Sequence, residues 1–278
     1  MCNGYGLHKP LLFGHCAAQH NPPELVGFPM KIAILKERHP GETRVAASPD
    51  MVKKLAGMGV DVTVEAGAGN ASGILDAAFA DAGATIAADP VQTLTGAEAV
   101  FKVRRPVVEG EGDIDELALI PDGALLIGLI NPLADPGQFR AYAAKRLTVL
   151  AMELVPRISR AQSMDALSSQ ANLAGYKSVL DACIYYKRAM PLMMTAAGTL
   201  APAKVLILGA GVAGLQAIAT ARRLGAVVSA FDVRPAVKGQ VESLGASFVE
   251  VEGAQDAETS GGYAREMGED YKRRQAEA

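Results

Sequence analysis

Tryptophan is absent from this chain, and cysteine and histidine are scarce, three and four in 278 residues. Each shortage excludes something. Cys2 and Cys16 lie near the N-terminus and Cys183 in a helical pattern, so no disulfide framework is implied and a reducing compartment is the default. The net charge of −3 leaves no basic footprint for nucleic acid. Three of the histidines (His8, His15, His20) fall in the first 20 residues, and the fourth, His39, sits in the loop KERHPGETR. A solvated loop imidazole is the ordinary reading of His39, so a general acid–base histidine is lacking. Long membrane-spanning runs are missing too. The longest charge-free stretch, 205–221, is short for a span, is broken by glycines and is bracketed by Lys204 and by Arg222 and Arg223.

Residues 1–29 have scattered Gly and Pro and no sustained period, the pattern of a disordered extension. Their apolar patch at 11–13 is too short for a signal peptide, and Cys2, His8, His15, Cys16 and His20 match no metal-ligand spacing. From Met30 the pattern changes. Apolar runs at 31–35, 60–65, 99–103, 124–129 and 147–151 alternate with helical segments near 49–58, 76–81 and 135–145. Strands alternating with helices predict an α/β domain with a parallel sheet over 30–165. A linking helix over 166–190 follows, and a Rossmann domain over 191–278.

The Rossmann signal is local and detailed. Residues 204–208, KVLIL, read as a fully buried parallel strand and run straight into Gly209-Ala210-Gly211-Val212-Ala213-Gly214. In a strand-to-helix turn, G-x-G-x-x-G cradles a dinucleotide pyrophosphate. Gly209 permits the turn, Gly211 lets the phosphate approach the backbone, and Gly214 lets helix and strand pack closely. Val212 and Ala213 open the helix whose N-terminus favours the anion. The next strand, 227–231, ends at Asp232-Val233-Arg234. An acid roughly 20 residues after the glycines accepts hydrogen bonds from adenosine ribose hydroxyls, which selects NAD over NADP, although Arg234 could accommodate a 2′-phosphate. Only three strands are readable after the linker, at 204–208, 227–231 and 246–251. That is one mononucleotide half of the fold, as in a truncated product.

Upstream, residues 155–182 begin as a polar loop crowded with Arg157, Ile158, Ser159, Arg160, Gln162, Asp165, Ser168, Ser169 and Gln170. So dense a set of hydrogen-bonding groups beside a nucleotide turn is a candidate for holding the cofactor's reactive end. Direct hydride transfer between two nicotinamide rings needs no acid or base, only positioning. A loop rich in Arg, Gln, Asp and Ser and poor in His suits that task.

The segment RISRAQSMDALSSQANLAGY, together with GAGVAGLQAIA, FDVRP and GGYAREM, closely resembles the NAD(H)-binding component of the proton-translocating nicotinamide nucleotide transhydrogenase family. The resemblance runs from Met30 to the C-terminus. It implies a dimeric, peripheral α/β protein on the cytoplasmic face of the inner (plasma) membrane. Such a protein docks onto an NADP(H)-binding component and a membrane proton-channel subunit. It also implies that Arg157 and Asp165 hold the nicotinamide and its ribose, with Ser168 nearby. Gln162 would reach toward the NADP(H) side, and Gly262 and Tyr263 would belong to a mobile loop over the nucleotide. Two other readings stand beside it. The opening KIAILKERHPGETRVAASPDMV is shared in kind with alanine dehydrogenase, whose first-domain histidine has no counterpart in LLIGLINPL, residues 125–133. A non-enzymatic NAD-binding module or inactive truncated paralogue is the third.

Overall fold

The structure, a computed structural model, describes residues 30–251 and 267–277. The expected extension at 1–29 and the proposed lid residues Gly262 and Tyr263 lie outside the described residues.

The first sheet is built from β1 (Lys31–Ile34), β2 (Asp61–Glu65), β3 (Thr85–Ala87), β4 (Ala99–Arg104), β5 (Leu125–Leu129) and β6 (Thr148–Ala151). All pair in parallel, in the order β3-β2-β1-β4-β5-β6. That is the doubly wound order of dinucleotide-binding sheets. The helices α1 (Pro49–Gly57), α2 (Asp76–Asp81), α3 (Pro90–Leu94), α4 (Glu116–Leu119) and α5 (Phe139–Ala144) connect the strands. Alternation along β1 shows why its sequence is continuously apolar. Ile32 and Ile34 enter one core with Val52, Val64 and Phe79, while Ala33 and Leu35 enter the other with Val100, Leu126 and Tyr142. Each fully buried large side chain in these cores contributes about 1.5–3 kcal/mol. Ser48 caps α1 by accepting from the Met51 amide, and Pro49 supplies the first helical residue, as the sequence predicts.

A long helix, α6 (Ala166–Tyr186), crosses to the second sheet. It stops four residues short of the expected linker's end, at Lys187 in a left-handed conformation. An antiparallel hairpin follows, β7 (Met193–Thr195) with β8 (Gly198–Leu200), which the sequence did not announce. Its strand residues are exposed throughout.

The second sheet holds β9 (Lys204–Leu208), β10 (Val227–Phe231) and β11 (Ser247–Phe248), parallel, in the order β11-β10-β9. Helices α7 (Val212–Arg223) and α8 (Lys238–Ser243) make its crossovers. Ala217, Ile218 and Ala221 of α7 close a core with Val179 of α6, Val228, Ala230 and Val241. The last helix, α9 (Glu269–Glu277), sets Tyr271 against Phe231 and Val251. The reading of 204–208 as fully buried is corrected: among the described residues β9 is the outer strand, and Leu206 and Leu208 on it are 57% and 72% exposed. Among the described residues no helix is long and apolar enough to cross a membrane.

Candidate dinucleotide site

The turn after β9 has the geometry that its glycines predict. Gly209 takes φ +96°, a left-handed value that L side chains rarely adopt, and its amide donates to the Phe231 carbonyl at 2.8 Å. A Cβ on Gly214 would stand 1.8 Å from the Gly209 oxygen, so only glycine lets α7 approach the turn this closely. Gly211 serves α7 as N-cap without a side-chain cap, and nothing lies within 4 Å of where a Cβ on Gly209 or Gly211 would be. Open space in front of a bare helix N-terminus fits a pyrophosphate.

A cleft of about 1110 Å³ opens there. Its size is at the upper end of cofactor clefts, which run to roughly 1,000 Å³. On one side are Gly209, Gly211, Val212, Ala213 and Gly214, with Asp232 and Arg234 beyond β10. On the other are Arg157 and the first turns of α6, through Ser168, Ala171, Ala174 and Ser178. Two segments about 40 residues apart, singled out on different grounds, thus share one cleft.

The remaining candidates among the described residues do not line it. Ile158, Ser159, Arg160 and Gln162 are exposed, in or beside the single 3₁₀ run Ser159–Met164, and Val233 is half-buried. Asp165 serves its own helix. One carboxylate oxygen accepts from the Ser168 amide at 2.8 Å and the other from the Ser168 hydroxyl at 2.6 Å. The Ser168 hydroxyl and amide hold its carboxyl below the usual range. This cap also corrects the grouping of Ser168, Ser169 and Gln170 with the polar loop. Ser168, Ser169 and Gln170 are helical, because Asp165 starts α6 directly after the 3₁₀ turn.

Asp232 is buried beneath the turn. Its Oδ2 accepts from the Ala210 amide at 2.7 Å and from Arg234 Nη2 at 2.9 Å. Its Oδ1 accepts from the Arg234 amide and Nε, both at 2.9 Å. Burial pushes the carboxyl up, but the Arg234 guanidinium and the two amides outweigh it, and the net shift is downward.

Gly175, in the middle of α6, escaped the sequence reading. A Cβ there would lie 2.0 Å from the Ala213 oxygen. A mid-helix glycine costs about 1 kcal/mol against alanine, and that cost is itself the signal of a close helix contact.

A separate charge cluster lies at the C-terminal ends of β1, β2 and β4. Lys102 Nζ, fully buried, is 2.9 Å from Glu116 and 3.6 Å from Glu37. Arg38 pairs with both Glu65 and Glu116. Glu37 also accepts from the amides of Val103 and Arg104, Glu65 from that of Lys36, and Glu116 from that of Val107. Burial drives the Glu37 carboxyl up against the pull of Lys102. Lys102 is therefore enclosed in this network. His39 sets Nε2 2.9 Å from the Arg105 carbonyl. Asn131 stands in the segment that offered no histidine, at φ +56°, with its amide donated to Glu153.

The chain belongs to the alanine dehydrogenase/PNT family. The family's N-terminal domain matches residues 33–174 and its C-terminal domain residues 178–271. Within that family the transhydrogenase branch shares far more of this sequence. An NAD(P) transhydrogenase alpha subunit of Rhodospirillum rubrum is 58% identical over 251 residues, which are 90% of this chain and 65% of that protein. Alanine dehydrogenase of Halomonas elongata is 31% identical, over 73% of this chain and 53% of that protein. The crystal structure of transhydrogenase from Sinorhizobium meliloti is 54% identical with a TM-score of 0.76, covering 80% of this chain and 62% of that one. The chain thus spans under two thirds of the length of these relatives.

Proposed function

We propose that this chain is the NAD(H)-binding component of a proton-translocating nicotinamide nucleotide transhydrogenase. The observation that carries the reading is the shared cleft, where Arg157 and Ser168 face the glycine turn. The higher identity to transhydrogenase subunits than to alanine dehydrogenase supports it.

In this reading residues 30–165 form the N-terminal α/β domain, 166–190 the linker and 191–278 the NAD-binding domain. The amides at the start of α7 hold the pyrophosphate. Asp232, with Val233 and Arg234 beside it, meets the adenosine ribose. Arg157 and Asp165 orient the nicotinamide and its ribose, with Ile158, Ser159, Arg160 and Ser168 shaping that end, and Gln162 faces the partner. Gly262 and Tyr263 close over the nucleotide. The bound dinucleotide supplies or receives a hydride, passed directly to or from NADP(H) on the partner component. The protein's contribution is orientation and exclusion of water.

The partners are an NADP(H)-binding component and a membrane proton-channel subunit, which place the chain in the cytoplasm at the inner (plasma) membrane. A second copy forms a homodimer. Exposed Ile184, Tyr185, Met193, Met194 and Leu200, on α6 and the hairpin, favour such association. Titration of the chain with NADH, followed by reconstitution with the partner subunits, tests the reading. The expected result is NADH binding and NADH-to-NADP⁺ transfer. Absence of NADH binding would refute it.

A further inference from the structure

Four hydrogen bonds converge on the Asp232 carboxylate, two on each oxygen, and three of them come from Arg234. These bonds fix the position and orientation of the carboxylate at the end of β10. Arg234 is two residues from Asp232, and Pro235 opens the 3₁₀ turn Pro235–Val237 directly after it, which stiffens the segment. Its side chain is only 12% exposed, and both residues line the cleft at the end of β10.

The charge arithmetic of this pair is informative. A lone carboxylate at this position repels a 2′-phosphate. Here a guanidinium 2.9 Å away offsets that charge, so repulsion by the pair is weak. Arg234 is meanwhile the kind of group that accepts a 2′-phosphate, since its planar fork matches phosphate as well as carboxylate. Nε and Nη2 form the edge of the guanidinium that holds Asp232, and that edge is not offered to a phosphate while the clasp stands.

We propose that Arg234 is a specificity-determining residue, and that Asp232 excludes NADP(H) chiefly by clasping it. The clasp withholds from the 2′-phosphate the cation at the end of β10, and it holds the carboxylate in place for the ribose. This rests on the cofactor reading above and separates two ways in which an acid can select NAD. If bare repulsion dominated, removing Asp232 would admit NADPH whether or not Arg234 was present. With the clasp, admission of NADPH requires Arg234.

The test is equilibrium titration of NADH and NADPH on the full chain and three variants: Asp232→Ser, Arg234→Ala and the double variant. Serine keeps an oxygen for the Ala210 amide. Asp232→Ser should tighten NADPH binding by about 10- to 100-fold, the worth of one or two charge-assisted hydrogen bonds. The double variant should lose that gain, and Arg234→Ala alone should gain nothing. Asp232→Asn, closer in shape, should move in the same direction as Asp232→Ser and replaces it if the serine variant unfolds. A gain for NADPH that persists in the double variant, or no gain in either Asp232 variant of a chain that binds NADH, would overturn the clasp. A wild-type chain that binds neither nucleotide would overturn the cofactor reading and the clasp together.

Discussion

Gly175 and Ala213 meet where α6 crosses α7, so closely that a Cβ on Gly175 would lie 2.0 Å from the Ala213 carbonyl oxygen. The contact couples the helix that carries Ser168 to the glycine turn. Gly175→Ala must push the two helices apart. The expected cost is about 1–3 kcal/mol, the range for overpacking, together with weaker NADH binding. Urea denaturation and an NADH titration of the same variant check both. A Gly175→Ala chain as stable as wild type would show that the contact relaxes freely.

Lys102→Met tests the buried network. Methionine fills most of the lysine's volume but takes from Glu37 its ion-pair partner and leaves Glu116 with Arg38. Breaking a buried pair from one side costs about 3–5 kcal/mol. The loss should appear as a lower denaturant midpoint with an unchanged slope.

Glu111 provides a pH test. Hydrogen bonds from the Arg105 guanidinium lower its carboxyl from 4.5 to about 2. A folded-state value below the unfolded one gives stability that is complete above about pH 4.5 and lost as pH falls through about 2. Glu111 is 35% exposed, so solvent screens the pair and its worth is under about 1 kcal/mol. Wild type and Glu111→Gln should differ slightly at pH 6 and converge by pH 2. A difference that grew on acidification would contradict the assignment.

Gln162→Asn should slow hydride transfer in the reconstituted complex and leave NADH affinity within about twofold, a change under 0.5 kcal/mol. The side chain is exposed and does not line the cleft, so shortening it removes nothing from the nucleotide's bed. Stopped-flow transfer and equilibrium binding separate the two effects. Equal loss of both would make Gln162 a binding residue.

The sequence declares what is periodic or sterically singular. β1 is buried on both faces, β4 and β5 are buried on one face and half-buried over most of the other, and all three read as largely apolar runs, while Asp76–Asp81 is legible to the residue. Gly209 and Gly214 are legible because a φ of +96° and a 1.8 Å approach admit no other residue, and Gly211 because it completes their spacing. β3, α3 and α4 escape notice because three to five residues cannot show a period. Asp165 looks like a loop residue until its Ser168 hydrogen bonds show a helix cap. The partners of Asp232 and Lys102 are tertiary facts. Composition names the charges, but only the fold decides that one acid meets Arg234 and that Lys102 vanishes among glutamates.

The charge cluster of the first sheet has a consequence for how the chain responds to its ligand. In a doubly wound sheet, anions are received at the carboxyl ends of the strands near the switch in strand order, which here lies between β1 and β4. In the first sheet that place is filled by Glu37, Glu65 and Glu116, which take up the nearby amides and both cations. The anion is internal and permanent. In the second sheet the corresponding helix start, at Gly211, has no side-chain cap among the described residues. One sheet therefore carries its counter-ion within the chain, while the other awaits it from solution. Nucleotide should raise the melting temperature with the logarithm of its concentration, and more for the second sheet than for the first.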